Sequence, residues 1–176
     1  MALNLAKTAQ QNLLDLMNTA NTQTLTLAQM TMGAPVVYDD PLDLNDRNTQ
    51  VTISALPGST EFKGSQTLRY TRLAVGDLVG ASYEFQSIEG STLADVLAAV
   101  VAAKGLLAAD VELVETEMPD WADEMIDGET APLTLRAKAG SYAYIGEVTI
   151  SVVEPVDGRE RFATMYSVTD LDGFVA

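Results

Sequence analysis

Apolar residues recur at helical spacing in two places along the chain. Between residues 5 and 20, Leu5, Ala9, Leu13, Leu16 and Ala20 share one stripe, which Leu14 and Met17 widen; the pattern predicts an amphipathic helix. Asn4 is one candidate N-cap, Thr8 with Gln11 as a capping box is another, and Asn21 suits the C-terminal end. The stronger helix signal is STLADVLAAVVAAKG, residues 91–105. There Thr92 is a good N-cap, Asp95 completes a capping box, Lys104 lies in the last turn and Gly105 follows it. Elsewhere the period is two. Alternation predicts extended segments over 24–27 and 36–38, a strand through 67–73, another over 82–87 and a last one over 162–168. Gly76 and Gly80 mark a connection, Asp157-Gly158 a turn and Asp170–Gly173 another turn.

One alternating stretch occurs twice. VTISALPGSTEFKGSQTLRY, residues 51–70, aligns without a gap on LTLRAKAGSYAYIGEVTISV, residues 133–152, at an offset of 82. Thr52, Ala55, Gly58, Ser59, Gly64 and Thr67 meet identical residues, and the apolar positions agree. Each copy reads as strand, loop, strand, with Gly58 and Gly64, or Gly140 and Gly146, bracketing a loop that carries one aromatic, Phe62 or Tyr144. Phe62 and Tyr144 are expected in equivalent places, each covering the end of its own small core. Upstream, LLDLM (13–17) resembles LADVL (93–97) at an offset of 80, and LTLAQM (25–30) stands to the first hairpin as LLAADV (106–111) stands to the second. The expectation is an α+β fold of two repeated units, 1–80 and 81–176, each a helix plus an antiparallel β-hairpin, packed into one compact body.

Composition narrows the chemistry. The 176 residues hold no cysteine and no histidine, which excludes disulfides, thiolate nucleophiles, Ser-His-Asp triads and most zinc sites. A net charge of −15 opposes binding to nucleic acid or anionic membrane. The start of the sequence shows no charged-then-apolar leader, and the longest apolar run, 97–103, is too short to span a bilayer. No P-loop, GxGxxG, GxSxG or HExxH occurs. A pair of carboxylates facing across an aromatic cleft would suit a hydrolase, but aromatics make up only 6% of the chain. The loop DDPLDLNDRN offers Asp39, Asp40, Asp43 and Asp46 as calcium ligands, without EF-hand spacing. Trp121, in the acidic stretch 112–132, is a candidate partner-facing anchor or a locally packed ring. Phe62 and Tyr144 join it as interaction candidates. No cofactor is expected.

The segments LLDLMNTAN, GAPVVY, NTQVTISALPGSTEFKGSQTLRYTRL, TLADVLAAV and LTLRAKAGSYAYIGEVTISV resemble a small domain of virion structural proteins from large tailed bacteriophages of the jumbo myovirus type. The matching positions are Asn48, Thr49, Val51, Thr52, Gly58, Ser59, Gly64, Tyr70, Arg72 and Leu73. The resemblance implies a non-enzymatic particle component, such as a capsid decoration or other head protein. It would be located in the virion and bind other virion proteins in many copies, with no nucleic acid or membrane as partner. The alternative is a carbohydrate-binding or adhesin module of a tail fibre, with Trp121, Tyr142 and Tyr144 as stacking residues.

Overall fold

The computed structural model describes residues 2–60, 62–88, 90–119 and 129–154. Its first helix, α1, runs from Ala9 to Asn21 and starts later than the apolar stripe suggests. The reason is Asn12. Its buried side chain accepts from the Asn4 backbone N–H at 2.7 Å and donates to the Asn4 and Thr8 carbonyls at 3.0 Å, which holds residues 4–7 in a turn. Thr8 is the N-cap, accepting from Gln11 N–H, while the Gln11 side chain turns to Asp15 rather than closing a capping box. Leu5 is left exposed.

The first sheet centres on β3 (Thr49–Ala55). The strand β4 (Ser65–Tyr70) pairs antiparallel along one edge. The short strands β1 (Met30–Met32) and β2 (Val36–Val37) share the other edge, also antiparallel. Residues 24–27, expected as extended, make no ladder. The Asn18 amide takes both the N–H and the C=O of Leu25, a side chain standing in for a strand partner. A turn between Thr26 and Gln29 then delays the strand to Met30.

After β4 come β5 (Leu73–Ala74) and a short helix, α2 (Val75–Val79), where the sequence suggested only a connection. The second sheet has the order β6 (Glu84–Gln86), β10 (Glu147–Val153), β8 (Thr130–Ala137), β7 (Val111–Leu113), with β6 parallel to β10 and the other pairs antiparallel. The helix α3 (Leu93–Lys104) has the full Thr92/Asp95 capping box, and its C-cap Gly105 takes a positive φ. A 3-10 turn (Ala108–Asp110) leads into β7, and β9 (Tyr144–Ile145) pairs in parallel with β5. Among the described residues the architecture is a compact mixed α+β fold with three helices and several sheets.

Two apolar clusters fill it. One gathers Leu13, Leu14 and Met17 of α1 with Met30, Val51 and Tyr70. The other gathers Val96 and Val100 of α3 with Val111, Leu133, Leu135, Tyr144, Ile150 and Val152. Val75 and Val79 belong to this second cluster although they precede residue 81. Ala9 joins it too.

The two hairpins have one register. Ser54 faces Ser65 as Arg136 faces Glu147, and Thr49 faces Tyr70 as Ala131 faces Val152. Gly58 and Gly140 both have φ +80°, Gly64 has +85° and Gly146 +81°. Outside the hairpins the correspondence continues with small changes of offset. Met30 faces Ala55 as Val111 faces Ala137, and the N-caps Thr8 and Thr92 are 84 apart. The helices therefore do not align at 80. LLDLM lies mid-helix in α1, whereas LADVL opens α3. Leu, Ala and Val recur so often in short apolar helices that several registers look alike in sequence.

Candidate functional site

The second hairpin loop, residues 138–146, is shaped by its own backbone. Ser141 N–H donates to the Lys138 carbonyl at 3.0 Å, and Ser141 Oγ accepts from the N–H groups of Ala143 (3.2 Å) and Tyr144 (3.1 Å). Gly140 and Gly146 supply the positive φ that this path needs and that L side chains rarely adopt. The first loop is built alike: Ser59 N–H donates to Leu56 O, and Ser59 Oγ accepts from Phe62 N–H, both at 3.1 Å.

What differs is the cover. The segment after β4 lies on the second loop and locks there through Arg72. The Asn48 side chain accepts from the Arg72 N–H at 2.8 Å and donates to its carbonyl at 2.9 Å. Thr49 Oγ1 donates to Asn48 Oδ1 at 2.7 Å and accepts from Arg72 Nε at 2.8 Å. The guanidinium then reaches the carbonyls of Ser141 (3.1 Å) and Tyr144 (3.4 Å). Leu73 N–H donates to Ala143 O at 2.9 Å, which opens the β5–β9 ladder. Arg72 is buried, and among the described residues its side chain forms no ion pair. Burial pushes its pKa below the ordinary arginine value. Burial of a guanidinium is tolerated here because neutral oxygens meet its Nε and Nη1 donors.

Under this cover Tyr144 is completely buried, and its hydroxyl accepts from Leu107 N–H at 3.0 Å. Phe62, at the same place in the first loop, is 41% exposed. The expectation that both rings cap their own cores is therefore corrected: only the second loop has the Arg72 segment over it. Nor can Tyr144 stack on a sugar, since it presents no face. Tyr142 is half-buried and donates its hydroxyl to Gly33 O at 3.0 Å, pinning the second loop to the first sheet. Trp121 lies outside the described residues.

Of the four aspartates, Asp40 and Asp43 are engaged within their own loop. Asp43 accepts from Arg47 Nε at 2.7 Å and Nη2 at 2.9 Å, and from Asn45 N–H. The Arg47 hydrogen bonds, with that N–H, hold its carboxyl down to about 2. Asp40 accepts from the Tyr38 hydroxyl and from Leu42 N–H. Asp46 takes a positive φ and Asp39 lies in the same loop. Among the described residues no group of three or more Asp, Glu, His or Cys side chains is placed to hold a metal ion.

The residues that make the junction, Asn48, Thr49, Arg72 and Leu73, drew notice in the sequence only as parts of a pattern. An arginine set among the apolar residues of TRLAV, with an Asn-Thr pair opening the first strand of the preceding hairpin, is the signal that points to a buried clamp. The model of a family of unknown function (DUF7941) matches residues 2–176. The chain belongs to this family. No curated protein and no solved structure matches it. No described helix of this DUF7941 chain is long and apolar enough to cross a membrane.

Proposed function

We propose that the chain is a non-enzymatic virion structural protein, a capsid decoration or other head component. In this reading it is built from two copies of one helix-plus-hairpin unit and works by binding other virion proteins. The observation that supports it most is the role of the pattern residues. Asn48, Thr49, Arg72 and Leu73 are among the residues that carry the resemblance to phage virion domains, and they meet in one junction, centred on the buried Thr49 and Arg72, that joins the two hairpins. The specific side chains of this protein thus serve to fit one piece of protein onto another, which is the task of a particle component. The shared hairpin register and the four matched glycines support the two-unit reading. Strong acidity suits a protein that must not adhere to packaged nucleic acid.

Mass spectrometry of purified particles tests the proposal. The chain is expected in a fixed ratio to the other structural proteins, and its presence in infected-cell lysate alone would refute the assignment.

A further inference from the structure

The first hairpin carries a groove whose corresponding positions in the second hairpin are filled. It measures about 270 Å³ and, among the described residues, is lined by residues between 25 and 66, including Leu25, Met30, Ile53, Phe62 and Gly64. The corresponding residues of the second half are Leu106, Val111, Leu135, Tyr144 and Gly146, and the four with side chains are all buried. In the first half Leu25 and Ile53 are half-buried and Phe62 is exposed. The same scaffold is therefore closed in one half and open in the other. What closes the second half is the segment TRLAVGDLVG, residues 71–80. Its Arg72 and Leu73 bond the loop, β5 pairs with β9, and Val75 and Val79 enter the core.

A second version of that segment exists in the sequence. TMYSVTDLDG, residues 164–173, aligns on 71–80 without a gap, with Thr164, Val168, Asp170, Leu171 and Gly173 identical to Thr71, Val75, Asp77, Leu78 and Gly80. The sequence thus holds two copies of this segment pattern and two hairpin loops, and the copy at 71–80 is matched to the second loop. We infer that residues 164–173 of one copy dock on the open first hairpin of a second copy. In doing so they repeat the fit of 71–80 on the second hairpin.

The in-chain contact runs one way, from the end of the first half onto the second. A one-way contact is heterologous, and repeated between molecules it builds a ring or a filament. Among the described residues the first half alone lines the open groove, which fits an acceptor turned toward another molecule. Five of the ten positions differ, and two of them bear most on the fit: Met165 stands for Arg72 and Asp172 for the buried Val79. The contact between molecules lacks the guanidinium clamp and places a charge where a valine is buried. It is accordingly weaker than the in-chain one and forms at high local concentration. The inference goes beyond the virion assignment and is tested on the purified chain alone.

Sedimentation velocity of the full chain, over a concentration series reaching millimolar, provides that test. Wild type is expected to form a concentration-dependent series of oligomers. Phe62→Asp spoils the groove at an exposed position, and Val168→Asp spoils the segment; each is expected to weaken self-association by about thirtyfold or more, the loss typical of a central interface side chain. Circular dichroism checks that the Phe62→Asp chain stays folded. Mixed together, the two variants retain one good groove and one good segment, so they are expected to form a heterodimer and nothing larger. A wild type that stays monomeric overturns the inference, as does self-association that survives both substitutions. A monomer whose melting temperature falls with Val168→Asp also overturns it, because the segment then folds back on its own chain.

Discussion

Arg72 binds with three nitrogen-to-oxygen contacts whose acceptors come from different strands and loops. Arg72→Ala leaves the Thr49 hydroxyl and the Ser141 and Tyr144 carbonyls short of a donor in a dry place, at a cost of about 2–4 kcal/mol. Arg72→Lys keeps the charge but loses the planar fork, so chemical denaturation should place it between Ala and wild type. Tyr70 presents the opposite case. It is buried, and its hydroxyl has no hydrogen-bond partner among the described residues. Burial raises its pKa from 10.0 to about 12. The folded state therefore holds this proton more tightly than the unfolded one. The stability it contributes is whole below pH 10 and is lost as pH rises from 10.0 toward about 12. Tyr70→Phe removes the unmet donor. Thermal melts should show it more stable by about 1 kcal/mol at neutral pH and less sensitive to alkali than wild type.

At the scale of elements, local chemistry decides where helices and loops begin. Thr92 and Asp95 close a reciprocal cap, with Thr92 N–H donating to the Asp95 carboxylate at 2.8 Å. Thr92→Ala should lower stability by about 1 kcal/mol, read from denaturant midpoints at unchanged m-value. These parts were legible in sequence: the cap, the hairpins with their glycine pairs, and the loop at 39–48. The late start of α1 was not, because it depends on the Asn12 side chain reaching back eight residues to Asn4. Nor was α2, whose five residues hold Gly76 and no side-chain cap. Packing of Val75 and Val79 against the second sheet and α3 stabilises it, and such tertiary gain leaves no local signature. The parallel pairings β5–β9 and β6–β10 join segments remote in sequence, so alternation alone could not show them. The two loop aromatics show the same limit. Phe62 and Tyr144 have like neighbours in sequence, and what separates them is a segment that covers only one. Tyr144→Ala should cost about 3–5 kcal/mol, and Phe62→Ala, at an exposed position, less than about 1 kcal/mol. Equal losses in urea unfolding would mean that the two loops are covered alike.

The whole molecule is held by what passes between its halves. Division at residue 80 separates Val75 and Val79 from the cluster they fill. A fragment of residues 81–176 loses both valines, each worth about 1.5–3 kcal/mol when fully buried. It also loses the Arg72 contacts and the Leu73 ladder bond over the second loop. The sum is comparable to the whole stability of a small domain, about 5–15 kcal/mol. A fragment of residues 71–176 keeps both valines, the Leu73 ladder bond and the Arg72 contacts with Ser141 and Tyr144, though not those with Asn48 and Thr49. Both fragments lack Ala9 and Leu3 equally, so their difference isolates the linker. The longer one should show a cooperative thermal transition and dispersed amide resonances. The shorter one should melt without cooperativity, with Tyr144 fluorescence responding to an external quencher. If the two behave alike, the linker is only a tether, and the second hairpin closes over Tyr144 without it. In that case Phe62 would be exposed because of its own loop sequence rather than for want of a covering segment.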